Sequence, residues 1–390
     1  MKAFTKEVRR AAGVPLALSL LLTAAAAVAD DDHAVLPPLT TITQIASTVP
    51  GNGDVNPYGM AQVRHTTGRL RAGHILVSNF NNFHNLQGTG TTIVDVAADG
   101  SMSLFAAIDA GNLPGTCTGG VGLTTALVVL EQGWVIVGSL PTTDGTSATA
   151  AAGCLIVLDS MGTPVETFYG SLINGPWDMA AFDGEHEAKL FVTNVLNGTQ
   201  AAGGKVVHEG TVTRLDLKVS AAAMPVLESI TVIGSGFPER TDPVALVIGP
   251  TGVALRAGCA SDSDDCGEHG GDHEGARLYV ADTLGNRIAA IDHPLSRTTS
   301  AGTGETLTSG GSLNLPLGLI VVPGGDLITV NGGDGYATEI SPHGVQRAKA
   351  LLDNTGSPPG NGTLFGLVFD RARGLYYVDD GSNTVNLLHH

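Results

Sequence analysis

Residues 278–292 read LYVADTLGNRIAAID. Four mostly β-favouring residues run into a small polar one, a short turn follows, and a second apolar run begins, which predicts a buried strand with a polar cap and an antiparallel partner. The opening recurs five times more: ILVSN ending at Asn79, VIVGS at Ser139, LFVTN at Asn194, LITVN at Asn331 and LYYVD at Asp379. These ends lie about 60 residues apart, a period that marks a repeat architecture.

A further apolar strand precedes each copy, usually opened by Pro or Gly: NPYGM at 56–60, GGVGL at 119–123, GPWDM at 175–179, DPVAL at 242–246, LPLGL at 315–319 and LFGLV at 364–368. A third strand follows, as at 92–96, 154–159, 211–217, 287–292 and 336–340, and usually a fourth, as at 103–107, 165–169 and 226–233. Four strands per repeat with almost no helical periodicity predict an all-β, six-bladed β-propeller. The last repeat stops after three strands and would leave an unpaired edge. Residues 39–46, LTTITQIA, alternate as a strand should and are expected to supply the missing strand and close the ring. The competing reading is a pair of packed sheets, into which six copies of one pattern fit poorly.

Composition agrees with a packed β-rich chain. The 390 residues include 53 Gly and 19 Pro, and 43% are hydrophobic, enough for a sizeable core. Asp plus Glu number 37 against 20 Lys plus Arg, for a net charge of −17, which argues against binding the phosphate backbone of a nucleic acid. Residues 1–29 have a basic start (Lys2, Lys6, Arg9, Arg10), a short apolar stretch and a small-residue Ala27-Val28-Ala29 end, the pattern of a cleaved secretory signal peptide. The expected organisation is a signal peptide over 1–29, a linker over 30–38 and the propeller over 39–390, with an insertion at 257–275 in blade 4. The mature protein is then secreted or periplasmic, without a stable membrane span.

Pro-x-Gly-apolar (as in Leu315 to Leu319), Leu-Tyr-Val-Ala-Asp (Leu278 to Asp282) and Asn-Arg-Ile (Asn286 to Ile288) together resemble the NHL repeat. The chain as a whole resembles exported bacterial NHL-repeat proteins, many of unassigned activity. The resemblance implies a binding or interaction scaffold, and related six-bladed folds add lactonases of the gluconolactonase kind and streptogramin lyases. Fold alone does not choose among them.

In a propeller the second strand of each blade ends on the top face. Asn79, Ser139, Asn194, Asp282, Asn331 and Asp379 therefore form a pseudo-symmetric ring about the upper mouth. Five of them, Asn79, Asn194, Asp282, Asn331 and Asp379, are candidate oxygen ligands for Ca2+, which takes six to eight such oxygens. The other reading is that these side chains cap the turns they enter. Blades 1 to 3 carry long insertions after the ring residue, so that half of the top face is expected to be walled and to hold the ligand surface. Asn82 and His84 in the first insertion, with Trp177 and Asp178 at the start of blade 3, complete the candidate site. Asn-rich turns are also ordinary loop chemistry, and Trp177 would equally pack between blades.

Four Cys in an exported chain suggest two disulfides, expected as Cys117 with Cys154 and Cys259 with Cys266, against the alternative of reduced thiols. The insertion GCASDSDDCGEHGGDHEG at 258–275 begins like a calcium loop but lacks the closing Glu, and reads as a solvated acidic loop. No nucleophile elbow, metalloprotease or P-loop motif occurs. The expectation is a ligand-binding or protein-interaction scaffold whose partner is a small molecule or an extracellular or periplasmic protein. The alternative is a lyase or lactone hydrolase with a central Ca2+ as Lewis acid.

Overall fold

The computed structural model describes residues 34–258 and 275–390; the expected signal peptide and the Cys259–Cys266 pair lie outside them. The described chain forms six antiparallel sheets. Their inner strands are Val55–Gln62, Leu123–Val129, Pro176–Asp183, Pro250–Arg256, Pro316–Val321 and Leu364–Asp370. Each packs on the next and the last packs on the first, so the ring is closed as a six-bladed propeller. The one helical element among the described residues is the short 3-10 turn Ala110–Asn112, capped by Asp109.

Closure happens where the unpaired edge required it. Thr41–Ser47 pairs antiparallel with Thr384–His389, from Thr41 opposite His389 to Ser47 opposite Thr384 with one slip between Gln44 and Ala46, and becomes the outer strand of blade 6. Just ahead of it, the Val35 and Leu36 amides donate to the two carboxylate oxygens of Glu339 at 2.6 and 2.9 Å, which anchors the start of this segment on blade 5.

Two inner strands differ from the sequence expectation. In blade 2 the segment 119–123 is the approach loop, and the strand begins at Leu123. In blade 4 the segment 242–246 is the tip of a hairpin belonging to blade 3, and the inner strand is Pro250–Arg256. Both errors have one cause: Gly- or Pro-opened apolar runs also make turns.

The Pro-x-Gly pattern has a physical reason. In all six blades the pairing of first and second strands slips just after the Pro position, between Pro57 and Met60, Leu123 and Leu127, Pro176 and Met179, Pro250 and Val253, Pro316 and Leu319, and Leu364 and Leu367. The bulge presses the strand against its neighbour. A Cβ on Gly318 would sit 1.9 Å from Phe365 O, one on Gly366 2.4 Å from Tyr58 O, and one on Gly252 2.1 Å from Leu317 O. Glycine is what lets adjacent inner strands approach this closely. Between the blades, apolar faces fill the wedges; one such layer joins Leu76, Phe105, Val137 and Ile156 of blades 1 and 2.

Candidate functional site

The bulge also sends one side chain per blade toward the upper end of the channel. These are Tyr58, Thr124, Trp177, Thr251, Leu317 and Phe365, the x of each Pro-x-Gly or its equivalent, and all six line the cavities at the upper mouth. Tyr58 stacks on Phe365 with ring centroids 3.9 Å apart and on Phe80 at 4.5 Å, while Trp177 tilts toward Tyr58 at 6.4 Å. Aromatic pairs in these arrangements gain energy beyond their burial.

A second element closes over part of this floor. The outer strand of blade 3, Val226–Asp242, overshoots its sheet and turns back through Leu246–Ile248, making a fifth strand. Asp242 holds the turn by accepting the Val244 and Ala245 amides, and Arg240 pairs with Asp242 at 2.8 Å. Leu246 and Val247 are buried in the cluster that contains Tyr58, Phe80, Leu140 and Trp177. Gln87, from the first insertion, donates to Val244 O and ties the hairpin to blade 1.

The long loops of blades 1 to 3 thus pack on one another. Gln200 of blade 3 likewise donates to the Ser147 and Ala150 carbonyls of blade 2. The cavity that remains, about 390 Å³, lies beside this packed wall. Its lining comes chiefly from blades 4, 5, 6 and 1 and the hairpin, and its polar members include Arg240, Asp242, Thr251, Thr283, Asn56 and Asp380. The ligand surface expected on the walled half is largely filled by loop-to-loop contacts, and the open volume is its neighbour.

Asp380 is the ionisable group of greatest interest there. The Asn56 amide donates to its two oxygens at 3.0 and 3.2 Å and accepts from Asn81 Nδ2 at 2.9 Å. Burial, and then the Asp379 charge, push the Asp380 carboxyl up to about 7, while the Asn56 amide favours its ionised form. Burial and the nearby Asp380 charge also push the Tyr58 hydroxyl up. Sequence reading missed Tyr58, Phe365, Asn56 and Asp380; the signal that could have found the first two was the x position of the repeat.

The ring residues are held differently. They occupy one register, each opposite the Pro position of its inner strand: Asn79 opposite Pro57, Ser139 opposite Leu123, Asn194 opposite Pro176, Asp282 opposite Pro250, Asn331 opposite Pro316 and Asp379 opposite Leu364. None of them is among the residues lining the upper-mouth cavities or the channel. Asn79 donates to Thr48 O and Thr92 Oγ1, Ser139 Oγ accepts the Gly122 amide, and Asn194 donates to Thr213 Oγ1. Asp282 accepts the Gly285 amide and has Arg287 as counter-ion at 2.8 Å. Asn331 accepts the Asn314 amide, and Asp379 accepts the Ser382 amide. Side chains committed to separate turns do not fit one shared cation. Among the described residues, no group of three or more His, Cys, Asp or Glu is placed to hold a metal ion.

Of the remaining candidates, Asn82 accepts the His84 and Leu86 amides and so caps its own loop. His84 lies against the exposed Phe83 ring. Trp177 belongs to the mouth and Asp178 to the channel below it, where burial pushes the Asp178 carboxyl up to about 7 against the Val253 and Met179 amides that hold it down. The lower mouth is a second opening of about 550 Å³, edged by Arg64, Glu131 and Asp183. Cys117 and Cys154 form a disulfide. No helix among the described residues is long and apolar enough to cross a membrane.

No family model and no curated protein matches the sequence. Solved structures match over most of the chain. A gluconolactonase from Xanthomonas campestris is 15% identical, covers 92% of this chain and 93% of its own, and superposes with a TM-score of 0.51. A calcium-binding protein, regucalcin, from Agrobacterium tumefaciens is 12% identical, with coverages of 88% and 95% and a TM-score of 0.50. A virginiamycin B lyase from Staphylococcus aureus is 11% identical, with coverages of 90% and 99% and a TM-score of 0.45. At such identities the likeness to the gluconolactonase and regucalcin bears on the fold alone, and the chemistry has to come from the site.

Proposed function

We propose that the protein is an enzyme acting on a small molecule at its upper mouth, of the lactone-hydrolase or lyase kind, with Asp380 as general acid and base. The observation that carries this reading is a buried carboxyl, raised above the ordinary carboxylate range by burial, at an aromatic-lined cavity of about 390 Å³, a size that suits a small organic ligand. A carboxyl near neutrality can take a proton and give it back in one turnover. Tyr58, Trp177 and Phe365 would hold the apolar body of the substrate, and Arg240 a polar or anionic group. In lactone opening, Asp380 takes a proton from water as the water oxygen bonds to the carbonyl carbon. It returns the proton to the ring oxygen as the acyl–oxygen bond breaks, leaving a hydroxy acid. Gluconolactonases and virginiamycin B lyase are solved proteins of this fold class, a precedent for the fold rather than evidence for the reaction.

A Ca2+ ion would polarise the carbonyl in a metal-assisted version of the reaction. The ring of Asn79, Asn194, Asp282, Asn331 and Asp379 does not suit that task, and no step is assigned to it. The reading includes a site of action outside the cytosol, in the periplasm or beyond, supported by the Cys117–Cys154 disulfide and the leader-like pattern of residues 1–29. The NHL likeness, strongest in blade 4, belongs with it.

The test is ring opening of a panel of γ- and δ-lactones and cyclic depsipeptides. Asp380→Asn is expected to lower kcat by roughly 100-fold or more with little change in KM. A second reading, a scaffold that binds without turnover, rests on the buried aromatic floor. It would be preferred if ligands quench Trp177 fluorescence, lose affinity in Tyr58→Ala, and are never converted.

A further inference from the structure

Blade 3 holds a buried carboxylate with no side-chain donor against it. Glu239 lies on the strand Val226–Asp242, at the root of the hairpin, opposite Val207. It is 0% exposed, and neither Oε1 nor Oε2 has a hydrogen-bond partner. Its backbone is pinned from below: a Cβ on Gly249 would meet Glu239 Cβ and Val195 Cγ1, each at 3.0 Å. An ionised carboxylate in such a place costs several kcal/mol unless a cation or donors compensate it.

The loop 195–206 covers this carboxylate. The Asn197 amide and the Glu209 carboxylate are the groups that bear on its charge, the first favouring it and the second opposing it, and burial outweighs both. Glu209 reaches over the same loop: a Cβ on Gly198 would come within 2.6 Å of Glu209 Oε2, so the glycine leaves the space the carboxylate occupies. A further buried oxygen without a partner, Thr199 Oγ1, lies within the same loop. Every unanswered atom in the group is an oxygen able to accept, and none is an orphaned N–H. A carboxylate, which only accepts, beside a hydroxyl oxygen that can turn its lone pairs toward it, suits a cation between them.

We propose that the loop 195–206 and the root of the hairpin form a binding site for a hard divalent cation, Ca2+ in an extracellular setting, with Glu239 as the central ligand and Glu209 as the second carboxylate. Thr199 Oγ1 and loop carbonyls are the further oxygens available to it. Ca2+ suits six to eight such oxygens in an irregular arrangement, and sites with few carboxylates bind in the range of about 0.1–1 mM. The site is separate from the upper-mouth cavity, whose lining includes neither glutamate. Its occupation would fix the hairpin that carries Arg240 and Asp242, so cation binding and the order of the mouth are coupled.

The experiment is a Ca2+ titration of the full chain at pH 7.5 after chelator treatment, read by thermal melting and by calorimetry. Wild type is expected to show a saturable rise in Tm and one binding event that Glu239→Gln abolishes. Glu209→Gln, at an exposed position that leaves the core intact, is expected to weaken binding by about tenfold or more. Asp379→Asn, in the ring, should leave the event unchanged. No shift up to about 10 mM Ca2+, or a shift of the same size in Glu239→Gln, overturns the proposal. If Glu239→Gln does not fold, an unchanged affinity in Glu209→Gln overturns it instead. Loss of lactone opening in Asp380→Asn with Ca2+ binding intact would support the catalytic reading and the cation site separately, since each fails on its own variant.

Discussion

Asp178 Oδ2 accepts the backbone N–H of Val253 at 3.0 Å, a bond that crosses from the inner strand of blade 3 to that of blade 4. Its other oxygen accepts the Met179 amide at 2.8 Å. Asp178 stands where blades 1, 4, 5 and 6 have Gly59, Gly252, Gly318 and Gly366, so at this seam a carboxylate joins two inner strands that glycine at those four merely allows to touch. Replacing Asp178 with Ala leaves two buried amides without acceptors. We expect Asp178→Ala to lower stability by about 2–3 kcal/mol in denaturant unfolding, and Asp178→Asn, which keeps one acceptor, by clearly less. Equal losses for the two variants would mean that packing, and not these bonds, is what Asp178 contributes.

The glycines of the other seams make the opposite prediction, in which adding an atom does the harm. Gly318→Ala puts a methyl 1.9 Å from Phe365 O, a backbone atom that cannot rotate away, and is expected to cost more than about 3 kcal/mol or to abolish folding. Gly120→Ala, where φ is +100° but the space is open, should cost only about 1–2 kcal/mol of backbone strain. The comparison is read from Tm values of the two proteins beside wild type.

The same seams show how far the sequence could be read. The second-strand ends at Asn79, Ser139, Asn194, Asp282, Asn331 and Asp379 were legible because each is a buried strand stopped by a polar residue, a local pattern that burial on both faces enforces. The closing strand was legible because a propeller has no other use for an alternating segment before its first blade. The hairpin was not, since Asp242-Pro243 reads as the start of a strand, and only the overshoot of Val226–Asp242 shows that it is a tip. The mouth was harder still: Tyr58, Thr124, Trp177, Thr251, Leu317 and Phe365 share a position and no chemistry. Asp380 and Asn56 meet only once blade 6 has closed against blade 1.

Cys117 and Cys154 close a stretch with a sequence separation of 37 inside blade 2, joining its approach loop to its third strand. Holding that stretch closed in the unfolded chain is worth roughly 3–4 kcal/mol. Cys117→Ser/Cys154→Ser is expected to lose that amount, and wild type with reductant should unfold at the same denaturant concentration as the double variant. A variant as stable as the oxidised protein would show that the loop is already ordered without the bond.

The pH dependence of stability should be inverted relative to most acidic proteins when divalent cations are removed. Asp178 and Asp380 are raised to about 7 and Glu239 to about 8, chiefly by burial, against about 4 in an unfolded chain. Between pH 4 and 8 the folded protein therefore binds more protons than the unfolded one, and stability falls as pH rises through that window. The contribution of these three groups is complete below pH 4 and gone above about 8. Asp216 works the other way: burial raises it, but hydrogen bonds from Ser229, Lys189 and Arg214 outweigh this and lower it, so its contribution fades only as pH drops below the ordinary carboxylate range. The Tm of chelator-treated protein is then expected to peak near pH 5 and to decline toward pH 8. Asp178→Asn should flatten part of the decline, and saturating Ca2+ should remove the part due to Glu239 by competing with its proton. A Tm that climbs steadily from pH 5 to pH 8 in chelator would show that these carboxyls are better solvated than their burial implies.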